Sequence, residues 1–121
     1  MSVFACGAIL ALLIMAGLLV DGAAQMLAKQ RAEDAAAQVA RYAMDAAAPY
    51  LVDGQDGAAP ALAAARSAAG RYSGISFEFA MDADGGLRVT THTSVQTVFL
   101  GLIGIHQLSA SGSATAIVYQ P

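Results

Sequence analysis

A chain of 121 residues with a net charge of -3 has room for one domain, and its six Lys and Arg residues form no basic stripe, which argues against nucleic acid as a partner. Hydrophobic residues make up 57% of the chain. Much of that is Ala, which buries little area per residue, so the domain is expected to draw stability from a membrane, an oligomer or a partner. The single cysteine, Cys6, excludes an intramolecular disulfide.

Residues 3–20 are apolar and carry no charge. As a helix these 18 residues rise about 27 Å, close to the thickness of a bilayer's hydrocarbon core. A cleaved signal peptide would have a basic n-region and a shorter apolar stretch, whereas no Lys or Arg precedes Lys29, so the pattern reads as an uncleaved anchor. Cys6 inside it reads as a buried small hydrophobe, because bulky Phe4 and the absence of a charged n-region fit no lipid-acceptor site. Gly7 and Ala11, four apart, offer a small face on which helices could approach closely, or simply face lipid. Asp21 abuts the run, as an end marker at the interface or as the partner of a positive group in an assembly. Lys29 and Arg31 follow the span, and the positive-inside bias alone would place that side in the cytoplasm.

Residues 23–48 contain no proline and are rich in good helix formers, so the helix is expected to continue. Met26, Leu27, Val39, Tyr42, Ala43 and Ala46 share one broad sector, read as its apolar face, with Lys29, Arg31, Glu33, Asp34, Arg41 and Asp45 as the polar remainder. Pro49 is expected to end it, since the residue before a proline is pushed out of helical geometry. One helix over about residues 2–47 would be on the order of 70 Å long. It cannot be buried in a domain this small, so its first half must lie in lipid or among identical helices.

The polar segment Val52-Asp53-Gly54-Gln55-Asp56-Gly57 reads as a turn, and residues 61–69 as a short helix preceded by Pro60 and ended by Gly70. The period then changes. Ile75, Phe77, Phe79 and Met81 alternate with Ser76, Glu78 and Ala80, a half-buried strand. After the turn Asp82-Ala83-Asp84-Gly85-Gly86 a second strand puts Leu87, Val89 and Val95 on one face and Arg88, Thr90 and His92 on the other, giving an antiparallel hairpin. Residues 98–105 form a second apolar run, too short to span a bilayer, that reads as a core loop, a short helix or an interfacial foot. Residues 109–119 read as a third strand. The expected fold is therefore α+β: a long N-terminal transmembrane and amphipathic helix, a short second helix, and a three-stranded antiparallel sheet on the extramembrane half of the first. Residues 1–22 form the anchor and 23–121 the domain.

Little in the chain suggests chemistry. His92 and His106 have no further likely ligand nearby in sequence and read as a solvated strand histidine and a loop histidine. Asp53/Asp56 and Asp82/Asp84 read as turn chemistry, because Ala64 and Thr93 stand where an EF-hand's closing Glu would be. No catalytic residue, cofactor or metal is expected.

The pattern Ser2-Val3-Phe4, the apolar run, Gly17-Leu18-Leu19-Val20-Asp21-Gly22 and Gln30-Arg31-Ala32-Glu33-Asp34-Ala35-Ala36 resembles the TadE/TadG-like pilus assembly proteins of tight-adherence (Flp, type IV-related) systems. Thr97-Val98-Phe99-Leu100-Gly101-Leu102-Ile103-Gly104-Ile105, followed by Ser111-Gly112-Ser113-Ala114-Thr115-Ala116, is similar to the C-terminal part of actinobacterial members. The resemblance implies a noncatalytic, pseudopilin-like minor subunit or assembly factor in the cytoplasmic membrane. Its domain would be extracytoplasmic, and its partners the bilayer, other pilin-like subunits and the pilus machinery, as a homo- or hetero-oligomer or within a cell-surface filament. Gly17, Asp21 and Gly22 of the signature, with Gly7 and Ala11, are then the expected membrane and assembly positions. Ala5 departs from the Glu that pilin-like relatives often carry near the start of the mature chain, which keeps a permanently anchored assembly factor among the expected roles. The alternative is a single-pass membrane protein with a small extracytoplasmic binding module unrelated to pili.

Overall fold

In a computed structural model, which describes residues 2–118, one helix, α1 (Ser2–Val52), takes up 51 residues, about 75 Å of rod at the ordinary helical rise. Its first 16 described residues, up to Leu18's neighbour Gly17, leave Val3, Phe4, Leu12 and most of their neighbours exposed. From Ala28 onward a buried stripe appears: Ala28, Ala32, Ala35, Ala36, Val39, Ala40, Ala43 and Ala47. Spacings of three and four place these on one face.

That stripe corrects the expected apolar face. Val39 and Ala43 are buried, but Met26, Leu27 and Tyr42 are exposed, and so is Cys6. The reason is steric. A Cβ added at Gly112 would lie 2.5 Å from the Glu33 backbone nitrogen and 2.7 Å from the Ala32 carbonyl carbon, so strand backbone rests on helix backbone. At that crossing only a residue as small as Ala fits under the strand, and the larger Val39 is buried a further two turns along.

The helix also outruns Pro49 and ends at Val52. Proline removes one N–H and crowds one carbonyl a turn back, a local cost near a helix end. Here the last turn is held by Leu51 packed on the core, by buried Ala47, and by Gln55 N–H donating to Tyr50 O at 2.7 Å.

The second helix, α2 (Ala58–Ala69), begins three residues before the expected start, because Asp56 Oδ1 accepts the Ala58 N–H at 2.9 Å and satisfies a donor of the first turn. It buries Ala61, Ala65 and Ala68 in the same core as the α1 stripe. The strands β1 (Ile75–Met81), β2 (Gly86–Gln96) and β3 (Gln107–Ile117) form an antiparallel meander in the order β1-β2-β3. Phe79 pairs with Val89, Val89 with Ala114 and Leu87 with Ala116. As the alternation requires, Leu87 and Val89 are buried and Arg88 and His92 exposed. The first turn closes with Asp82 N–H to Gly86 O at 2.7 Å and places Gly85 at φ 88, a conformation glycine adopts without penalty. β3 starts two residues before the expected strand; Tyr119, expected in it, lies outside the described residues. The core is shallow: Leu87, Val39, Val89 and Val118 are its largest fully buried apolar side chains. Phe77 and Phe79 stack at 6.4 Å between centroids and close its rim with Tyr72.

Candidate functional site: the clasp between the span and the sheet tip

The connection from β2 to β3 is the second apolar run, folded around a 3-10 turn at Leu100–Ile103. It is a tip, closed at its base by Thr97 N–H to His106 O at 3.0 Å, and it bends onto α1 where the apolar run ends. Asp21 Oδ1 accepts the Val98 N–H at 2.8 Å, and Oδ2 accepts those of Phe99 at 3.1 Å and Leu100 at 2.8 Å. Only 2% of Asp21 is exposed. Three consecutive backbone donors on one carboxylate are charge-assisted hydrogen bonds, shorter and stronger than neutral ones. They also satisfy an ion removed from water, which would otherwise be costly to bury.

One turn earlier on the same helix face, Gly17 lies beneath the Phe99 ring: an added Cβ would be 2.1 Å from Phe99 Cγ. One turn later Gln25 Nε2 donates to Ser109 O at 3.1 Å. Further along, Thr91 Oγ1 lies 2.6 Å from Ala32 O and 3.2 Å from Gly112 O, so its one proton is shared between or switches between a helix carbonyl and a strand carbonyl. Gly17, Asp21, Gln25 and Ala32 thus form a seam along which the β2–β3 hairpin is fastened to α1.

Of the residues expected to serve anchoring and assembly, the structure brings Gly17 and Asp21 together under the tip. Gly7, Ala11 and Gly22 are exposed, with no group within 4 Å of a Cβ built at Gly7 or Gly22. For Asp21 the surroundings are neither open interface nor a basic side chain but the backbone of the same chain. The residues missed from sequence are Val98, Phe99 and Leu100. The signal that could have found them is a Gly and an Asp one turn apart at the end of a span, in a chain with a second apolar run needing a seat. Of the three readings given to that run, the core loop does not form: the run makes a short 3-10 turn at the tip, with no residue of that turn buried.

Away from the clasp, charged groups sit on the open surface. Arg88 Nη2 stands 3.6 Å from Asp82 Oδ2, and His92 Nε2 3.7 Å from Glu78 Oε2 across the exposed face of the sheet. Among the described residues no three His, Cys, Asp or Glu side chains converge as metal ligands would. An open groove is lined by Gln25, Met26 and Lys29 of α1, His92 of β2 and Ser109 of β3.

Fold and clasp together define a class: an α+β protein whose small antiparallel sheet and short second helix pack on one half of a long helix, the other half being bare, apolar and long enough to cross a membrane. Set against models of protein families, curated proteins and solved structures, the chain matches none.

Proposed function

We propose that this protein is a noncatalytic, single-pass membrane protein that presents a small extracytoplasmic α+β module to partners. The observation that carries this reading is the division of α1. Residues 3–20 are apolar and leave nearly all their side chains bare, while the stripe from Ala28 to Ala47 is buried under the sheet and α2. Seventeen exposed residues of an apolar run would be costly in water and are accounted for by lipid. The test is extraction. The protein is expected to stay with membranes through an alkaline carbonate wash and to require detergent; recovery in the washed soluble fraction would overturn the anchor.

A finer reading is favoured by the continuity of the rod. A helix without a break from span to domain, bare at its N-terminal end and covered by an antiparallel sheet at the other, suits a pilin-like subunit that packs helix against helix. Together with the resemblance of residues 2–36 and 97–116, this supports a minor subunit or assembly factor of a tight-adherence pilus. Intact-mass analysis of sheared filaments against washed membranes tests it. Presence in filaments, or membrane retention combined with loss of piliation on deletion, is the expected result; normal piliation without the protein would leave only the anchored module.

A further inference from the structure

The tip of the β2–β3 hairpin carries no charge from residue 97 to 105, and while Phe99 packs on Gly17, three other apolar side chains are left exposed: Leu102 at 82%, Ile103 at 73% and Val98 at 64%. An exposed apolar patch on a small domain calls for an occupant. We propose that the tip is a second membrane contact, inserted into the leaflet from which α1 emerges, so that the domain stands on the bilayer at two points. The proposal rests on the reading of residues 3–20 as a membrane span.

Three observations identify the occupant as lipid. The first is position. Phe99 sits on Gly17, three residues before the apolar run ends at Val20, which is about 4.5 Å along the axis on the membrane side of that end. The tip therefore shares the depth of the last turn of the span, within the roughly 5–10 Å that interfacial segments reach below the headgroups.

The second is backbone chemistry. A loop lowers the cost of approaching an apolar phase by satisfying its backbone N–H groups within the protein. Asp21 takes the N–H groups of Val98, Phe99 and Leu100, and Thr97, Leu102, Gly104 and Ile105 donate within the loop to His106, Phe99, Gly101 and Leu100 carbonyls. The Thr97 hydroxyl donates to Ile105 O.

The third is continuity. Leu18 and Leu19, which follow the Gly17 on which Phe99 rests, are exposed, so bare apolar side chains of the span flank the place where the tip docks. The clasp at Asp21 fixes the height of the foot and keeps the carboxylate, the one charge at this level, away from lipid.

The experiment uses the full chain with Cys6→Ser, reconstituted in phosphatidylcholine vesicles and spin-labelled at Leu102→Cys or, as a second site, Ile103→Cys. Both positions are exposed, so neither label disturbs packing. Collision with oxygen, which concentrates in lipid, is compared with collision with an aqueous nickel complex. Leu12→Cys in the span and Asp84→Cys at the far end of the sheet serve as references. The oxygen-to-nickel ratio at residues 102 and 103 is expected to exceed that at residue 84 several-fold and to persist on dilution with lipid. A ratio like that of residue 84, with residue 12 in lipid, would overturn the foot and leave the anchor standing. A water-like ratio at residue 12 would overturn both. Shielding that disappears on dilution would assign the patch to a second copy and also overturn the foot.

Discussion

Asp21 and Leu100 stand 79 positions apart in the chain, and the carboxylate of the first accepts the backbone N–H of the second at 2.8 Å. The bond joins the end of the apolar run to the tip of the most distant hairpin loop. With its companions from Val98 and Phe99 it fixes where along the helix the sheet begins.

Replacing that acceptor should release the tip without unfolding the sheet. Asp21→Asn keeps the shape, but offers an N–H₂ where a backbone N–H must be met. Amide exchange at Val98, Phe99 and Leu100 is expected to quicken at least about tenfold, while Val89 and Ala114 in the ladder stay protected. Equal exchange in variant and parent would mean that the clasp does not hold the tip.

Gly17 and Phe99 should show an inversion of sign. Gly17→Ala alone drives a Cβ into the ring root and is expected to cost about 1–3 kcal/mol, as overpacking usually does. In a Phe99→Ala background the same change should become stabilising by about 1 kcal/mol, the ordinary gain of Ala over Gly within a helix. Thermal unfolding of the four proteins in one detergent measures both; a Gly17→Ala effect of the same sign in both backgrounds would contradict the contact.

A second glycine pair separates packing from assembly. Gly112→Ala places a methyl against the Glu33 backbone, which cannot yield as a side chain would, and should destabilise by about 1–3 kcal/mol. Gly22→Ala meets open space on the helix and should stabilise by about 0.5–1 kcal/mol. If oligomers or filaments weaken in Gly22→Ala while the isolated subunit gains stability, Gly22 belongs to an assembly surface; unchanged assembly would remove it from that role.

Thr91 is buried between two backbones, and its hydroxyl reaches both Ala32 O and Gly112 O. Thr91→Val keeps the volume and loses that bond, so chemical unfolding should report a loss of about 1 kcal/mol. Thr91→Ser keeps the donor and should retain the helix-to-strand bond, although the lost methyl leaves a small void. A stability for Thr91→Val equal to the parent would show the hydroxyl to be dispensable.

The elements that rest on local period were legible. Alternation over Ile75 to Met81, the Asp82–Gly86 turn and the resumption at Leu87 gave the hairpin, and the apolar run gave the bare half of α1. What sequence misplaced depended on distance and on size. The large residues Met26 and Leu27 drew the expected core face toward themselves, but contact with Gly112 selects the Ala stripe, which composition hides because Ala is everywhere in this chain. The local preference of Pro49 to end a helix yields to the burial around Ala47 and Leu51. Asp21 and Gly17 stand out in the sequence, yet their partners at Val98 to Leu100 follow from the chain's return and not from spacing.

The continuity of α1 sets the azimuth of the domain. Gly17 and Asp21 belong to the apolar end and Ala28, Ala32 and Ala36 to the packed end, and all lie on the side that carries the sheet. No hinge separates the two ends, so a turn of the helix about its own axis in the bilayer swings the sheet around it by the same angle. A neighbour that grips one side of the span thereby chooses which edge of the sheet it will meet above the membrane.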